Sequence, residues 1–236
     1  AELTSNPMFD RDLKRENLAD ILRLRATHQP DDVAFRFVSD GGTLECSLTY
    51  RQLHQKAVAV ASRLQRQSNP GARVLILLPS SLDYIAALFG CMYAGAIAVP
   101  AYPPRQNRHL ARLQSIVADC EPRILLTSTE NLSAVKALGP NITCLVAGAD
   151  GVETVPHWKT PDISSDSLAM LQYTSGSTGE PKGVMLTHGN LVENSISLSN
   201  AFHYTPESRC VTWLPLYHDM GLIGSILQPV FGGFPC

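Results

Sequence analysis

Leu171-Gln-Tyr-Thr-Ser-Gly-Ser-Thr-Gly-Glu-Pro-Lys-Gly-Val-Met185 is the stretch on which the reading of this chain turns. Nine of its fifteen residues are Gly, Ser, Thr, Lys or Pro, and both flanks are apolar. That is the composition of a loop wrapped around a polyphosphate. Glycine has no Cβ, so backbone N–H groups can approach an anion closely and reach φ > 0. Hydroxyls add donors, and Lys182 adds a positive point charge. On the N-terminal side Leu168–Tyr173 reads as a buried strand, and on the C-terminal side Asn190–Ser199 reads as a helix. A flexible surface linker is the competing reading of such a composition. The embedded Pro-Lys-Gly and the abrupt strand before the loop argue against it.

Three familiar phosphate or nucleophile loops do not fit. A Walker A loop needs G-x-x-x-x-G-K-[ST], but Pro181 precedes Lys182 and Gly183 follows it. The segment holds no G-x-G-x-x-G. A nucleophile elbow needs a glycine where Tyr173 and Thr174 stand.

Outward from the loop, the chain reads as α/β. Short apolar runs without alternation occur at Arg73–Leu78, Ala96–Pro100, Arg123–Thr127 and Thr143–Ala147, and they suit strands of a parallel sheet covered on both faces. Tyr84–Pro100 is the longest apolar stretch, too short and too broken by Gly and Pro to span a bilayer, and fits a buried helix running into a strand. Asn17–His28 is expected to be helical, with Leu18, Ile21 and Leu22 on one face. Asp32–Val38 alternates as a strand, and Gly41-Gly42 marks a turn. Thr49 is placed to cap a helix reaching Gln67, whose stripe is Leu53, Ala57, Val60 and Leu64, with Asn69-Pro-Gly71 as its stop. A helix near Gln106–Cys120 shows Leu110, Leu113 and Val117 on one face and a solvated line of Arg105, Arg108 and Arg112 on another. Residues 148–167 read as a surface connection.

Composition narrows the function classes. The 236 residues are 44% hydrophobic and 17% charged, as in an ordinary globular domain, and a net charge of −2 gives no support to nucleic-acid binding. No signal-peptide pattern opens the chain. The six cysteines are scattered without C-x-x-C or a neighbouring His at ligand spacing, which points to free thiols in a reducing cytosol rather than to a metal site. The sequons at Asn131 and Asn141 are read as chance tripeptides. The chain ends at Phe231-Gly-Gly-Phe-Pro-Cys236, inside an apolar passage unlike a natural C-terminus.

A second constellation lies at Trp213-Leu-Pro-Leu-Tyr-His-Asp-Met-Gly-Leu-Ile-Gly224, after a strand-like Arg209–Thr212. On a strand His218 and Asp219 would face opposite ways, which disfavours them as a general-base pair or a metal site. Taken alone, His218 reads as a structural histidine.

Tyr173-Thr-Ser-Gly-Ser-Thr-Gly-Glu-Pro-Lys-Gly183 resembles the signature phosphate loop of the adenylate-forming superfamily, which includes acyl-CoA synthetases, luciferases and peptide-synthetase adenylation domains. Within it, Pro100-Ala-Tyr-Pro-Pro-Arg105, Leu171–Thr178 and Trp213–Gly224 are most similar to the fatty-acyl-AMP ligases. Acyl-CoA synthetases more often carry Thr where Ser177 stands. The resemblance covers nearly the whole chain.

What it implies is an α/β fold forming the N-terminal part of the large adenylate-forming domain, with mostly parallel sheets flanked by helices in layers. About 50–205 would form a first subdomain, and 1–48 with 206–236 part of a second. The implied reaction is attack of a fatty carboxylate on the α-phosphorus of ATP, with Mg²⁺, giving acyl-adenylate and pyrophosphate. Thr174, Ser175, Gly176, Ser177, Thr178, Gly179 and Lys182 would cradle the phosphates, with Thr178 nearest Mg²⁺ or the γ-phosphate. Lys182 and His218 are the catalytic candidates, His218 positioning the substrate carboxylate. Gly221 would leave room for the acyl chain, and Met220, Leu222 and Ile223 would bound its apolar tunnel. The acceptor implied is the phosphopantetheine thiol of a carrier protein in lipid or polyketide biosynthesis. An acyl-CoA synthetase and a non-catalytic nucleotide- or acyl-binding module stand as alternatives. Family members are more than twice as long. The adenine-binding segment, a metal-binding Glu, a ribose-binding Asp and a mobile C-terminal domain with its Lys are therefore expected beyond Cys236, and these 236 residues alone are not expected to turn over.

Overall fold

A computed structural model of the protein describes residues 17–38, 42–104, 110–148, 158–174 and 181–236. Helix α1 (Leu18–His28) starts at Asn17, whose side chain accepts a hydrogen bond from the Asp20 N–H. Strands β1 (Val33–Val38) and β2 (Leu44–Thr49) form an antiparallel pair of their own. Helix α2 (Tyr50–Gln67) opens with a reciprocal cap: the Thr49 hydroxyl accepts from the Gln52 N–H, and the Gln52 side chain accepts from the Thr49 N–H.

The remaining strands make one sheet. β3 (Arg73–Leu77), β4 (Ile97–Pro100), β5 (Ile124–Thr127), β6 (Thr143–Val146), β7 (Leu168–Thr174) and β8 (Lys182–Thr187) lie in the order β6-β5-β3-β4-β7-β8. Every pairing is parallel except that of β7 with β8. Helices α3 (Leu82–Ala94), α4 (Leu110–Cys120), α5 (Leu132–Lys136) and α6 (His188–Phe202) follow β3, β4, β5 and β8. The chain then runs irregularly to a π-helical stretch, Met220–Leu227, and a short helix α7 (Gln228–Gly232).

Alternation along β3 explains the layering. Val74 and Ile76 point into the larger apolar core with α3, including Tyr84, Leu88 and Phe89. Leu75 and Leu77 point into a second core with Leu113, Ile116 and Cys120 of α4. A strand buried on both faces must be apolar throughout, which is why these runs show no polar alternation. None of the helices among the described residues is long and apolar enough to cross a membrane.

Several expectations need correction. On α4 Leu113 is buried and Val117 packs against the same core as expected, Ile116 and Cys120 complete the buried face, and Leu110 sits at the exposed start of the helix. Arg112 is half-buried rather than solvated, and Arg105 and Arg108 lie outside the described residues, as does Gly41 of the expected turn. Arg209–Thr212 is not a strand; Val211 is exposed, and Cys210 makes one backbone bond, its N–H donating to Pro235 O at 3.0 Å. Strands β2 and β8 were not foreseen.

Candidate active site

The phosphate-loop residues Ser175, Gly176, Ser177, Thr178 and Gly179 lie outside the described residues. Its two roots do not. Thr174 ends β7, Lys182 begins β8, and the two stand opposite each other in the antiparallel register. The loop's two roots therefore belong to paired strands, and the expected helix follows after β8, at His188–Phe202. Both side chains are exposed at this end of the sheet.

The roots are held by Tyr173. Its hydroxyl donates to the Asp119 carboxylate on α4, and its ring lies across Gly183, where a Cβ would come within 3.0 Å of Cζ. Burial first, and then the bond to Asp119, push the Tyr173 hydroxyl above its ordinary titration range, so it acts as the donor.

The His218 segment lies at the same edge, reached from three strand ends. After β3, Ser80 Oγ accepts from the Leu216 N–H at 3.2 Å. After β4, Tyr102 meets Tyr217 edge-on, ring centroids 6.2 Å apart. On β7, Gln172 Nε2 donates to the Tyr217 carbonyl at 3.2 Å. The carboxyl ends of parallel strands are where open α/β sheets bind ligands.

His218 and Asp219 do not face opposite ways. The backbone at Asp219 is right-handed helical rather than extended, and Nδ1 of His218 lies 2.5 Å from Oδ1 of Asp219. The same Oδ1 accepts from the Met220 N–H at 2.7 Å, capping the π-helical stretch. His218 is 63% exposed, so its Nε2 side is open to a ligand while Nδ1 is held.

The expected acyl-side residues separate. Met220 is exposed, Ile223 is half-buried against the main core, and Leu222 is fully buried within that core. At Gly221 a Cβ would stand 2.2 Å from the Pro215 carbonyl oxygen. The space that glycine leaves is filled by the chain's own backbone. A cavity of about 640 Å³ lies nearby, between β1 and residues 209–216, with Phe35, Ile85, Val211 and Trp213 among its walls. Sequence reasoning missed this cavity and the tethers Ser80, Tyr102 and Gln172. Tyr102, Gln172 and Tyr217 did fall within the three singled-out passages, but the contacts between them have no local signal. Among the described residues, no group of three His, Cys, Asp or Glu side chains is placed to hold a metal ion.

A mostly parallel α/β domain with a polar, ligand-accessible strand edge is the class that this fold and site define. The family model for AMP-binding enzymes matches residues 22–236, and the chain belongs to that family. It is 41% identical over 229 residues to the medium-chain-fatty-acid–[acyl-carrier-protein] ligase JamA of Moorena producens, covering 93% of this chain and 39% of that protein. It is 38% identical to the long-chain-fatty-acid–AMP ligase FadD32 of Mycolicibacterium smegmatis, covering 86% of this chain and 34% of that one. The crystal structure of the fatty acyl-adenylate ligase from L. pneumophila, in complex with acyl adenylate and pyrophosphate, superposes with a TM-score of 0.85 at 41% identity. That match covers 93% of this chain and 39% of that one. The chain thus spans about two fifths of the length of these relatives.

Proposed function

We propose that the whole protein activates a fatty acid with ATP, forming acyl-adenylate and pyrophosphate, and passes the acyl group to the phosphopantetheine thiol of an acyl carrier protein. The observation that carries this reading is the shared strand edge. The roots of the phosphate loop, Thr174 and Lys182, and the turn bearing His218 sit at the ends of neighbouring strands, with β7 common to both.

The chemistry asks for such an arrangement. A carboxylate is a poor acyl donor because its leaving group is oxide. A carboxylate oxygen forms a bond to the α-phosphorus, the bond from that phosphorus to the bridging oxygen breaks, and pyrophosphate leaves with the electron pair. The protein's part is to neutralise charge and hold the groups in line. Lys182 and the loop hydroxyls and N–H groups, Thr174 to Gly179, hold the β- and γ-phosphates in this reading. His218, its Nδ1 fixed by Asp219, presents its other nitrogen to the substrate carboxylate. Met220 and Ile223 border the acyl path. Mg²⁺, carried in with ATP, would supply charge neutralisation there, and the Thr178 hydroxyl would be the group of this chain to hold it.

In the same reading, about 50–205 form one subdomain, and about 1–48 with 206–236 belong to a second. A cytoplasmic setting suits the six free cysteines. The test is ATP–pyrophosphate exchange by the full-length protein with a panel of fatty acids, followed by transfer to carrier protein or to CoA. Exchange dependent on fatty acid, with carrier protein as acceptor, supports the proposal. Transfer to CoA instead would make the protein an acyl-CoA synthetase. Acyl-adenylate binding without exchange would make it a silent module. The 236 residues alone should show no turnover.

A further inference from the structure

We infer that Gln172 is a positioning residue that sets the height of the His218 turn relative to Thr174 and Lys182, the roots of the phosphate loop, an inference that rests on the adenylation reading above. The alternation of β7 provides the geometry. Leu171 and Tyr173 face the α4 side of the sheet, where Tyr173 is clasped by Asp119. Met170 and Gln172 face the other side, towards Tyr217. One short strand end therefore fixes the loop root through residue 173 and reaches the His218 turn through residue 172.

The turn needs such a tether. Residues 209–219 contain no regular strand or helix long enough to fix their own position. Among the described residues, two side-chain hydrogen bonds join the 214–218 backbone to the six-stranded sheet and the loops that leave it. They are Ser80 Oγ accepting from Leu216 N–H and Gln172 Nε2 donating to Tyr217 O, both at 3.2 Å. The second falls on the residue next to His218, and on the very strand that leads into the phosphate loop. Cutting it leaves the Ser80 hydrogen bond and the Tyr102 ring contact, neither of which comes from the strand that leads into the phosphate loop.

The state of the Gln172 amide argues against a purely structural role. Its Oε1 is buried and has no hydrogen-bond partner among the described residues. A desolvated, unpaired acceptor opposes folding, and a side chain of the same length without polar atoms would avoid that penalty. The acceptor end thus adds nothing to stability, and what the amide contributes comes through its donor, which holds the Tyr217 carbonyl.

Gln172→Met in the full-length protein tests this, because methionine keeps the length and loses both the donor and the unpaired acceptor. Two readouts separate this inference from the functional reading. Amide hydrogen exchange should speed up across 214–219 and stay unchanged in α4, while Tm shifts by no more than about 4 °C, because losing the buried unpaired Oε1 offsets losing the donor to Tyr217 O. In ATP–pyrophosphate exchange, kcat should fall between about tenfold and a hundredfold, with KM for ATP and for fatty acid each within about threefold, the signature of misplaced reactants. Gln172→Glu, which cannot donate to Tyr217 O when ionised, should lose kcat likewise. Unchanged exchange at 214–219 overturns the tether, whatever the activity. Faster exchange with undiminished kcat overturns the positioning role. A wild-type protein without ATP–pyrophosphate exchange would sink the adenylation reading itself, and with it the catalytic part of this inference.

Discussion

Gly221 packs so closely on Pro215 that a Cβ at position 221 would stand 2.2 Å from the Pro215 carbonyl oxygen and 2.9 Å from its carbon. Backbone cannot yield as a flexible side chain does, so Gly221→Ala must move either the π-helical stretch or the turn before His218. A loss of about 1–3 kcal/mol follows from overpacking of this kind. Gly224, three residues on in the same stretch, has open space where its Cβ would be. Gly224→Ala should be neutral or stabilising by about 0.5–1 kcal/mol, since it only restricts the unfolded chain. Urea unfolding of the two variants measures the contrast; equal effects would show that the close approach is not rigid.

His188 opens α6 and is 2% exposed, with its Nδ1 lacking a hydrogen-bond partner. Burial lowers its pKa from 6.5 to about 4, with Asp20 pulling weakly the other way. The folded state thus holds a neutral imidazole where the unfolded chain takes a proton. Stability from this residue is whole above pH 6.5 and is lost as pH falls towards 4, by about 3 kcal/mol at 1.36 kcal/mol per pH unit. The measurement is urea unfolding at pH 7, 5.5 and 4.5 for the wild type and His188→Gln. The wild type should lose more over that range, and parallel curves would refute the assignment.

Arg25 is a buried guanidinium that finishes the last helix. Its Nε donates to Val230 O at 3.2 Å, Nη2 to Phe231 O at 2.6 Å, and Nη1 to Gln29 Oε1 at 2.9 Å. Gly233 passes so near that a Cβ there would meet the guanidinium carbon at 2.5 Å. Arg25→Met fills part of the space but leaves two buried carbonyls unpaired, which should lower stability by about 2–4 kcal/mol. Arg25→Lys should rescue little of it, because a point charge cannot serve both carbonyls and Gln29 in one plane. Thermal unfolding of both variants decides this.

The parts of this fold legible in sequence were those with a local cause. Continuous apolar runs gave β3 to β7, and Thr49 gave the start of α2, because burial on both faces and a side-chain cap each leave a direct mark. Strand β8 begins with Lys182-Gly183, which reads as loop, and is a strand because β7 lies beside it. Arg209–Thr212 shows the converse: β-branched Val211 and Thr212 suggest a strand, yet pairing partners decide whether one forms. A strand's period of two puts His218 and Asp219 on opposite faces, but the backbone turns at Asp219 and brings them side by side. At the site, Thr174, Lys182 and His218 stood out by residue type. Their tethers, Ser80, Tyr102 and Gln172, are ordinary residues until the fold brings them together.

Cys210 lies beside Cys236, and both line the cavity next to β1. The hydrogen bond from the Cys236 thiol favours the Cys210 thiolate and, with help from Ser225, brings its pKa to about 7 in spite of partial burial. Burial drives Cys91 far upward and Cys120 up to about 12. With the exposed Cys46 replaced by serine, iodoacetamide at pH 7 should label Cys210 of this chain well before Cys91 or Cys120. Cys236→Ala should slow that labelling roughly tenfold or more, whereas Cys236→Ser, which keeps a donor, should slow it less. Peptide mass mapping over time checks both; labelling of Cys210 at the same rate in all three would remove the thiol pair as the cause.

Lys182 separates the phosphate-site reading from the linker reading most directly. Its side chain is exposed at the start of β8, opposite Thr174, and so contributes little to packing. Lys182→Ala in the full-length protein should therefore leave Tm unchanged within about a degree, as surface substitutions do. If the ammonium holds ATP phosphates, its removal forfeits a charge-assisted hydrogen bond of about 1.5–3 kcal/mol, a rise in the KM for ATP of roughly tenfold to a hundredfold. The wild-type KM should also climb with ionic strength more steeply than that of the variant, because salt screens the missing charge pair. KM for the fatty acid should hold steady, since the acyl side is built from the His218 turn. An ATP affinity indifferent to both the substitution and salt would return residues 174–183 to the status of a linker, and the adenylation reading would lose its phosphate site.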